Sequence, residues 1–208
     1  VTVTAPDCRP YEASIPATVS GAFVRPAAIT IDDSEQNGDG LAGPGETVEL
    51  RITLRNDGGA PAGGLDVVLS TDDSQVSVVE AQVTYGPIPP GGESAAPTPF
   101  SVSVLPDCPD AHVAHLELSM TDISQGVLWT GIVPLTVSAP GLVASSYAID
   151  DLTGGDGDGI PEPGEQLRLL VNVDNVGLAA AASPAAQLWT DHPGVDVILG
   201  SVELGDVP

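Results

Sequence analysis

The segment DDSEQNGDGLAGPGETVELRITLRNDG, from Asp32 to Gly58, returns as DDLTGGDGDGIPEPGEQLRLLVNVDNVG from Asp150 to Gly177. The correspondence runs on at a constant spacing: Ser70-Thr71-Asp72 matches Trp189-Thr190-Asp191, and VTYGPIP ending at Pro89 matches VELGDVP ending at Pro208. One residue inserted in the second acidic loop is the only break in register. A second match runs the other way, with VTVTAPDC (Val1 to Cys8) resembling SVSVLPDC (Ser101 to Cys108). A period of this kind makes each copy one structural unit. It predicts back-half strands of a module over 1–29, a complete module over 30–141 and the front half of another over 142–208.

Within the complete module the hydrophobic signal has period two. Val48, Leu50, Ile52 and Leu54 alternate with Glu49, Arg51 and Thr53, and Leu65, Val67 and Leu69 alternate with Asp66, Val68 and Ser70. Such alternation marks half-buried strands. Further runs, Val76 to Val83, Phe100 to Leu105, Val113 to Met120 and Val127 to Val137, are separated by Gly- and Pro-containing breaks. No segment carries a convincing helical period. About seven short strands in roughly 110 residues is the pattern of an immunoglobulin-like sandwich. The expected fold is therefore all-β, with tandem immunoglobulin-like β-sandwich modules, one complete and two partial. Aromatic residues make up only 3% of the chain, so Val, Leu, Ile and Ala must fill the core, and Trp129 and Trp189 are expected in it or at its rim.

Half-modules expose an apolar face and unpaired edges, which in water invite completion by another chain. The ends of a module lie roughly 40 Å apart for strands of about ten residues, too far for residues 1–29 to fold back onto 142–208. The N-terminal strands of one chain can instead complete the C-terminal half-module of the next by donor-strand complementation. That head-to-tail contact does not close and builds a homopolymeric filament. Equally, a longer polypeptide with many tandem modules gives the same linear array.

The acidic loops carry the chemistry. Against the calcium-loop pattern D-x-[DN]-x-[DN]-G-x5-E, the first copy supplies Glu35, Asn37, Asp39, Gly40 and Glu46, and the second Gly154, Asp156, Asp158, Gly159 and Glu165. Ca²⁺ takes six to eight oxygens at about 2.3–2.6 Å, so a tight turn must aim alternate side chains inward and a late carboxylate must close the shell. Leu41 and Ile160 would each add a backbone carbonyl. Gly154 cannot serve as a side-chain ligand, and Asp32 with Asp33, and Asp150 with Asp151, stand upstream as candidates in its place. Pro44-Gly45 and Pro163-Gly164 stop any helix before the glutamate, so these loops are not EF-hands. At least two Ca²⁺ per chain are expected. The pairs Asp72/Asp73 and Asp107/Asp110, with Asp191, are candidates for weaker sites. Asn56 and Asn175, at equivalent strand ends, are expected to brace the loops through the backbone.

The string GDGxxxPGE, preceded by Asp-Asp and followed by an alternating strand, resembles the calcium-binding immunoglobulin-like repeats of large bacterial and archaeal secreted surface proteins, of the cell-adhesion-related type. The resemblance covers Thr30 to about Val137 and Ala148 to the end. It implies a structural ion, rigid tandem packing and an extracellular, cell-surface, prokaryotic setting.

Composition removes other classes. With 29 acidic residues against 5 arginines and no lysine, the formal charge is -24. Such a surface repels phosphate backbones and anionic headgroups, so neither nucleic acid nor a membrane is an expected partner. No run of about 18 apolar residues exists to span a bilayer. No nucleophile elbow, Cys–His pair or paired-carboxylate cleft is present, so the chain is not expected to be an enzyme. His112 and His115, three apart on a strand, face opposite ways and do not form a zinc site. Cys8 and Cys108 occupy equivalent positions, either as buried thiols or as partners in bonds between chains. The sequence thus describes a calcium-stabilised extracellular structural protein assembling head to tail into a filament or rigid stalk. An adhesin, or an accessory binding module of a secreted hydrolase, is the alternative.

Overall fold

The computed structural model describes residues 20–208, together with the backbone of Thr2–Val3 and Tyr11–Glu12. Most of the expected completing segment 1–29, including Cys8, lies outside the described residues. The described residues contain no helix. Fifteen strands succeed one another: β1 (Thr2–Val3), β2 (Tyr11–Glu12), β3 (Val24–Asp32), β4 (Thr47–Asn56), β5 (Leu65–Ser70), β6 (Val76–Glu80), β7 (Gln82–Tyr85), β8 (Glu93–Ala95), β9 (Phe100–Val104), β10 (Val113–Asp122), β11 (Leu128–Thr136), β12 (Leu142–Asp150), β13 (Arg168–Asn175), β14 (Ala185–Gln187) and β15 (Ser201–Glu203). The chain forms two compact units. One holds Val1–Asp32, Thr47–Ser103 and His115–Pro134, the other Asp33–Glu46, Val104–Ala114 and Leu135–Pro208.

The first unit is built on two sheets, β3-β4-β9-β6 with β8 beside β4, and β11-β10-β5-β7. The alternation read from the sequence is the burial pattern. In β4, Val48, Leu50, Ile52 and Leu54 are wholly buried between exposed or half-exposed neighbours, and in β10 Ala114, Leu116, Leu118 and Met120 do the same. Two faces of this kind bury each other, which is what makes an all-β, immunoglobulin-like sandwich stable. Tyr85 is the largest buried side chain here, and its hydroxyl donates to the Ile52 carbonyl at 2.8 Å. Burial pushes that hydroxyl's pKa up. β3 already pairs with β4 from Val24 onward, ahead of the 29/30 boundary suggested by the repeat.

Asn56 ends β4 wholly buried. Its Oδ1 accepts the Phe23 and Gly58 N–H groups at 3.0 Å each, and its Nδ2 donates to the Ala60 and Ile88 carbonyls at 2.8 and 3.0 Å. Every polar valence of the amide is used on backbone, which a buried amide requires. The bracing falls on the turn after β4, at the end of the strand remote in sequence from the acidic loop. Gly58 is obligatory there, because a Cβ would sit 2.2 Å from the Gly21 carbonyl oxygen.

In the second unit, β12 and β13 pair from Leu142↔Asn175 to Asp150↔Arg168, reproducing β3 and β4 down to a register shift in the first strand. Asn175 repeats the pattern of Asn56, accepting from Gly141 and Gly177 and donating to the Ala179 and Val207 carbonyls. β14 and β15 make a second two-stranded ladder. One expectation fails here. Trp189 is 79% exposed, not in a core or rim, because it follows the end of β14 at the position of exposed Ser70 in the other copy. Trp129 in β11 is half-buried.

Candidate metal loops

Each acidic loop leaves a strand through an aspartate pair, turns on three glycines and passes a glutamate shortly before the next strand. Gly38, Gly40 and Gly45 have φ of 75°, 80° and 84°, and Gly157, Gly159 and Gly164 have 83°, 79° and 94°. Left-handed backbone at the same three places gives both loops the same sharp bends, which residues with a Cβ resist.

The second member of each aspartate pair points inward. Asp33 is 4% exposed and Asp151 2%. The Asp33 carboxylate accepts the Asp39 and Gly40 N–H groups at 2.9 Å each, and Asp151 accepts the Gly159 N–H at 3.1 Å. Asn37 and Asp156 close equivalent turns by accepting from Asp39 and Asp158. Asp39 and Asp158 accept in turn from Leu41 and Ile160, at 2.8 and 2.7 Å. Glu46 accepts the Gly43 N–H at 2.8 Å, and Glu165 accepts the Glu162 N–H at 2.9 Å. Side chains that bond backbone amides in this way hold their remaining oxygen lone pairs in fixed directions.

Asp151, Asp156 and Glu165 bring one carboxylate oxygen each within 4.8 Å of one another. It is the one such acidic group among the described residues. Three anionic oxygens so close repel one another, and the chain has no lysine to offset them. An all-oxygen donor set of this charge suits a hard divalent cation such as Ca²⁺. Asp33, Asn37 and Glu46 hold the matching positions in the first loop, with an amide replacing one carboxylate.

The remaining sequence candidates divide. Asp32 and Asp150 are the last residues of β3 and β12, facing Glu49 and Arg168 across their ladders. Asp150 also accepts the Leu152 N–H. Leu41 and Ile160 have their N–H groups engaged by Asp39 and Asp158. Glu35 is exposed and has no acidic counterpart in the second loop, where the inserted residue falls. Gly154 sits there instead, with room for no side chain: a Cβ would lie 2.3 Å from the Gln166 carbonyl oxygen. Asp110, a candidate for a weaker site, accepts the Ala139 and Leu178 N–H groups at 2.8 and 3.3 Å. Asp73 likewise accepts the Gln75 N–H. Sequence reading missed the role of Asp122, which is wholly buried and accepts from the Gly63, Ser124 and Gln125 N–H groups and the Ser124 hydroxyl. The Ser124 hydroxyl, with those amides, holds its carboxyl below the usual aspartate range. Cys108 is buried.

No family model and no curated protein matches this chain. Among solved structures it is similar to the CARDB domain of the PF1109 protein from Pyrococcus furiosus, crystallised in complex with di-metal ions. The identity is 12% and the TM-score 0.36, over 61% of this chain and 97% of that one. It is also similar to BcpA, the major pilin subunit of Bacillus cereus, at 11% identity and a TM-score of 0.26, over 86% of this chain and 66% of that one. No described helix is long and apolar enough to cross a membrane.

Proposed function

We propose that this chain is a unit of an extracellular, non-enzymatic structural protein, held rigid by one Ca²⁺ in each acidic loop and assembled head to tail into a filament or stalk. The observation that supports the reading is the shared construction of the two loops. Glycines at the same three places turn them, and Asp33, Asp39 and Glu46 each accept a backbone amide that Asp151, Asp158 and Glu165 accept at the equivalent step. Asp33, Asn37 and Glu46 would hold one ion, with the Leu41 carbonyl, and Asp151, Asp156 and Glu165 the other, with the Ile160 carbonyl. A bound divalent cation would neutralise the clustered carboxylates, and because the unfolded chain lacks the site, its binding free energy would add to stability. Extracellular modules bind calcium at about 10⁻⁴–10⁻³ M, which suits permanent occupancy outside a cell and none inside. Isothermal titration of chelator-treated protein with CaCl₂, followed by electron microscopy with and without EGTA, tests the reading. Two sites and EGTA-sensitive filaments are expected; no heat of binding together with filaments indifferent to EGTA would sink it.

The exposure of Trp189 favours a second reading, an adhesin or accessory module that stacks a sugar ring on the indole. Binding to a glycan array that is lost in Trp189→Ala distinguishes it.

A further inference from the structure

The asparagines of the chain stand in three chemical settings. Asn56 and Asn175 end equivalent strands with both ends of the amide held by backbone, and are followed by Asp57 and Val176. Asn172 lies within β13, donates from Nδ2 to the Ser146 hydroxyl at 2.7 Å and precedes the β-branched Val173. Asn37 is exposed, lies outside any strand and is the one asparagine followed by glycine.

A backbone nitrogen attacks the side-chain carbonyl of the preceding asparagine only where its own residue leaves room. Gly38 leaves it: a Cβ built there would meet nothing within 4 Å, and its φ of 75° is backbone that glycine adopts freely. Asn37 Oδ1 accepts the Asp39 N–H at 2.9 Å. That bond folds the side-chain amide forward along the main chain, toward the Gly38 peptide. A donor already on this oxygen also stabilises the negative charge that attack at Cγ places there.

We infer that Asn37-Gly38 is a site of spontaneous deamidation. Hydroxide removes the Gly38 amide proton, and the nitrogen bonds to Asn37 Cγ. The Cγ–Nδ2 bond breaks, and ammonia leaves with a proton from water, closing a five-membered succinimide and regenerating hydroxide. A second water opens the ring at Cγ to give aspartate, or at the main-chain carbonyl carbon of residue 37 to give isoaspartate. In sum one water is consumed and one ammonia released, with no change of oxidation state.

The second loop displays the aspartyl product. Asp156 stands where Asn37 stands, and its Oδ1 accepts the Asp158 N–H at 3.2 Å as Asn37 accepts from Asp39. A carboxylate at this step is therefore compatible with the same turn. Aspartate at residue 37 adds one negative charge to a loop that already carries Asp33, Asp39 and Glu46. Isoaspartate has no such counterpart: it routes the main chain through the former side chain and leaves a carboxylate on Cα, so the bond to Asp39 cannot form as before. The modification stands apart from the calcium reading above, and only its effect on affinity rests on that reading.

The test incubates the folded, full-length chain under mildly alkaline conditions and follows it by peptide mass mapping. Cleavage after Arg51, Arg55 and Arg168 places Asn37, Asn56 and the pair Asn172 and Asn175 in three separate peptides. A gain of one mass unit, the replacement of NH₂ by OH, is expected in the first peptide ahead of the other two, with isoaspartate in part of it detected by enzymatic methylation. Asn37→Asp, which copies Asp156 and so keeps the loop, should show no gain there. A folded chain that keeps its mass while the same chain in urea gains it overturns the inference, as does the absence of gain in both. Equal gains in the peptide of Asn172 and Asn175 overturn the selectivity. Calorimetry of Asn37→Asp should tighten one calcium step several-fold and leave the other. A mass gain with unchanged calcium affinity overturns residue 37 as a ligand and leaves the modification standing.

Discussion

Leu50 and Leu169 hold the same position in two copies of one strand, yet Leu50 is wholly buried and Leu169 more than a third exposed. A core leucine cut to alanine loses its transfer free energy and leaves a cavity, typically about 2–5 kcal/mol. Leu50→Ala should therefore lower the denaturant midpoint sharply. Leu169→Ala in the isolated chain should cost less than about 1 kcal/mol, since surface substitutions fall within roughly 0.5 kcal/mol and this site is half-way to the surface. Urea titration followed by circular dichroism reads both, and equal losses would contradict the difference in burial.

Each loop should lose its ion independently. Asp151→Asn or Glu165→Gln is expected to remove one of two calcium steps in calorimetry and leave the other, and Glu46→Gln to do the converse. At a hundredfold excess of calcium over its Kd, one site adds about 2.7 kcal/mol to stability. The wild-type melting temperature should rise with calcium accordingly, and each single variant should show part of that rise. A variant in one loop that abolishes both steps would show that the loops do not bind separately.

Asp122 sets an acid limit. Its hydrogen bonds with Ser124, Gly63 and Gln125 favour the ionised form, so its folded-state pKa lies below the unfolded value of about 3.9. The stabilisation is complete above the unfolded pKa and is lost as pH falls through the folded pKa. Melts recorded from pH 7 to pH 2 should show a steep fall below about pH 4, shallower in Asp122→Asn. An unchanged acid slope in the variant would remove Asp122 as its source.

Period-two alternation made β4, β5, β9 and β10 legible, because one face of each strand is buried and the pleat turns every second residue inward. Repetition exposed the loops, and the three glycines that turn each of them recur at the same steps. Other features depend on contacts far apart in sequence. Glu35 fitted a ligand pattern, but Gly154 at the corresponding step is fixed by close approach to Gln166, which no local motif encodes. Asp110 looked like one of an acidic pair; its partners, Ala139 and Leu178, are backbone amides that carry no sequence signal. Asp122 was passed over for the same reason. Trp189, expected in the core or at its rim, stands instead at the position that exposed Ser70 holds in the other copy.

Asp110 ties the β11–β12 connection to the turn after β13. One carboxylate oxygen accepts both the Ala139 and Leu178 N–H groups, and the Ala139 carbonyl accepts from Leu178 and Ala179. Hydrogen bonds to a charged acceptor contribute about 1.5–3 kcal/mol each when well aligned. Only the Ala139 bond, at 2.8 Å, is short; Leu178 shares its proton between two acceptors. Asp110→Ala should therefore release Ala139 most. Its amide should exchange with deuterium about tenfold faster or more, as expected for a loss of about 1.4 kcal/mol, while Leu178, still bonded to the Ala139 carbonyl, changes less. Amides of β4 and β10 serve as internal references and should keep their rates. Uniform acceleration across all of them would mean that Asp110 contributes to global stability; selective loss at Ala139 identifies it as a local clasp.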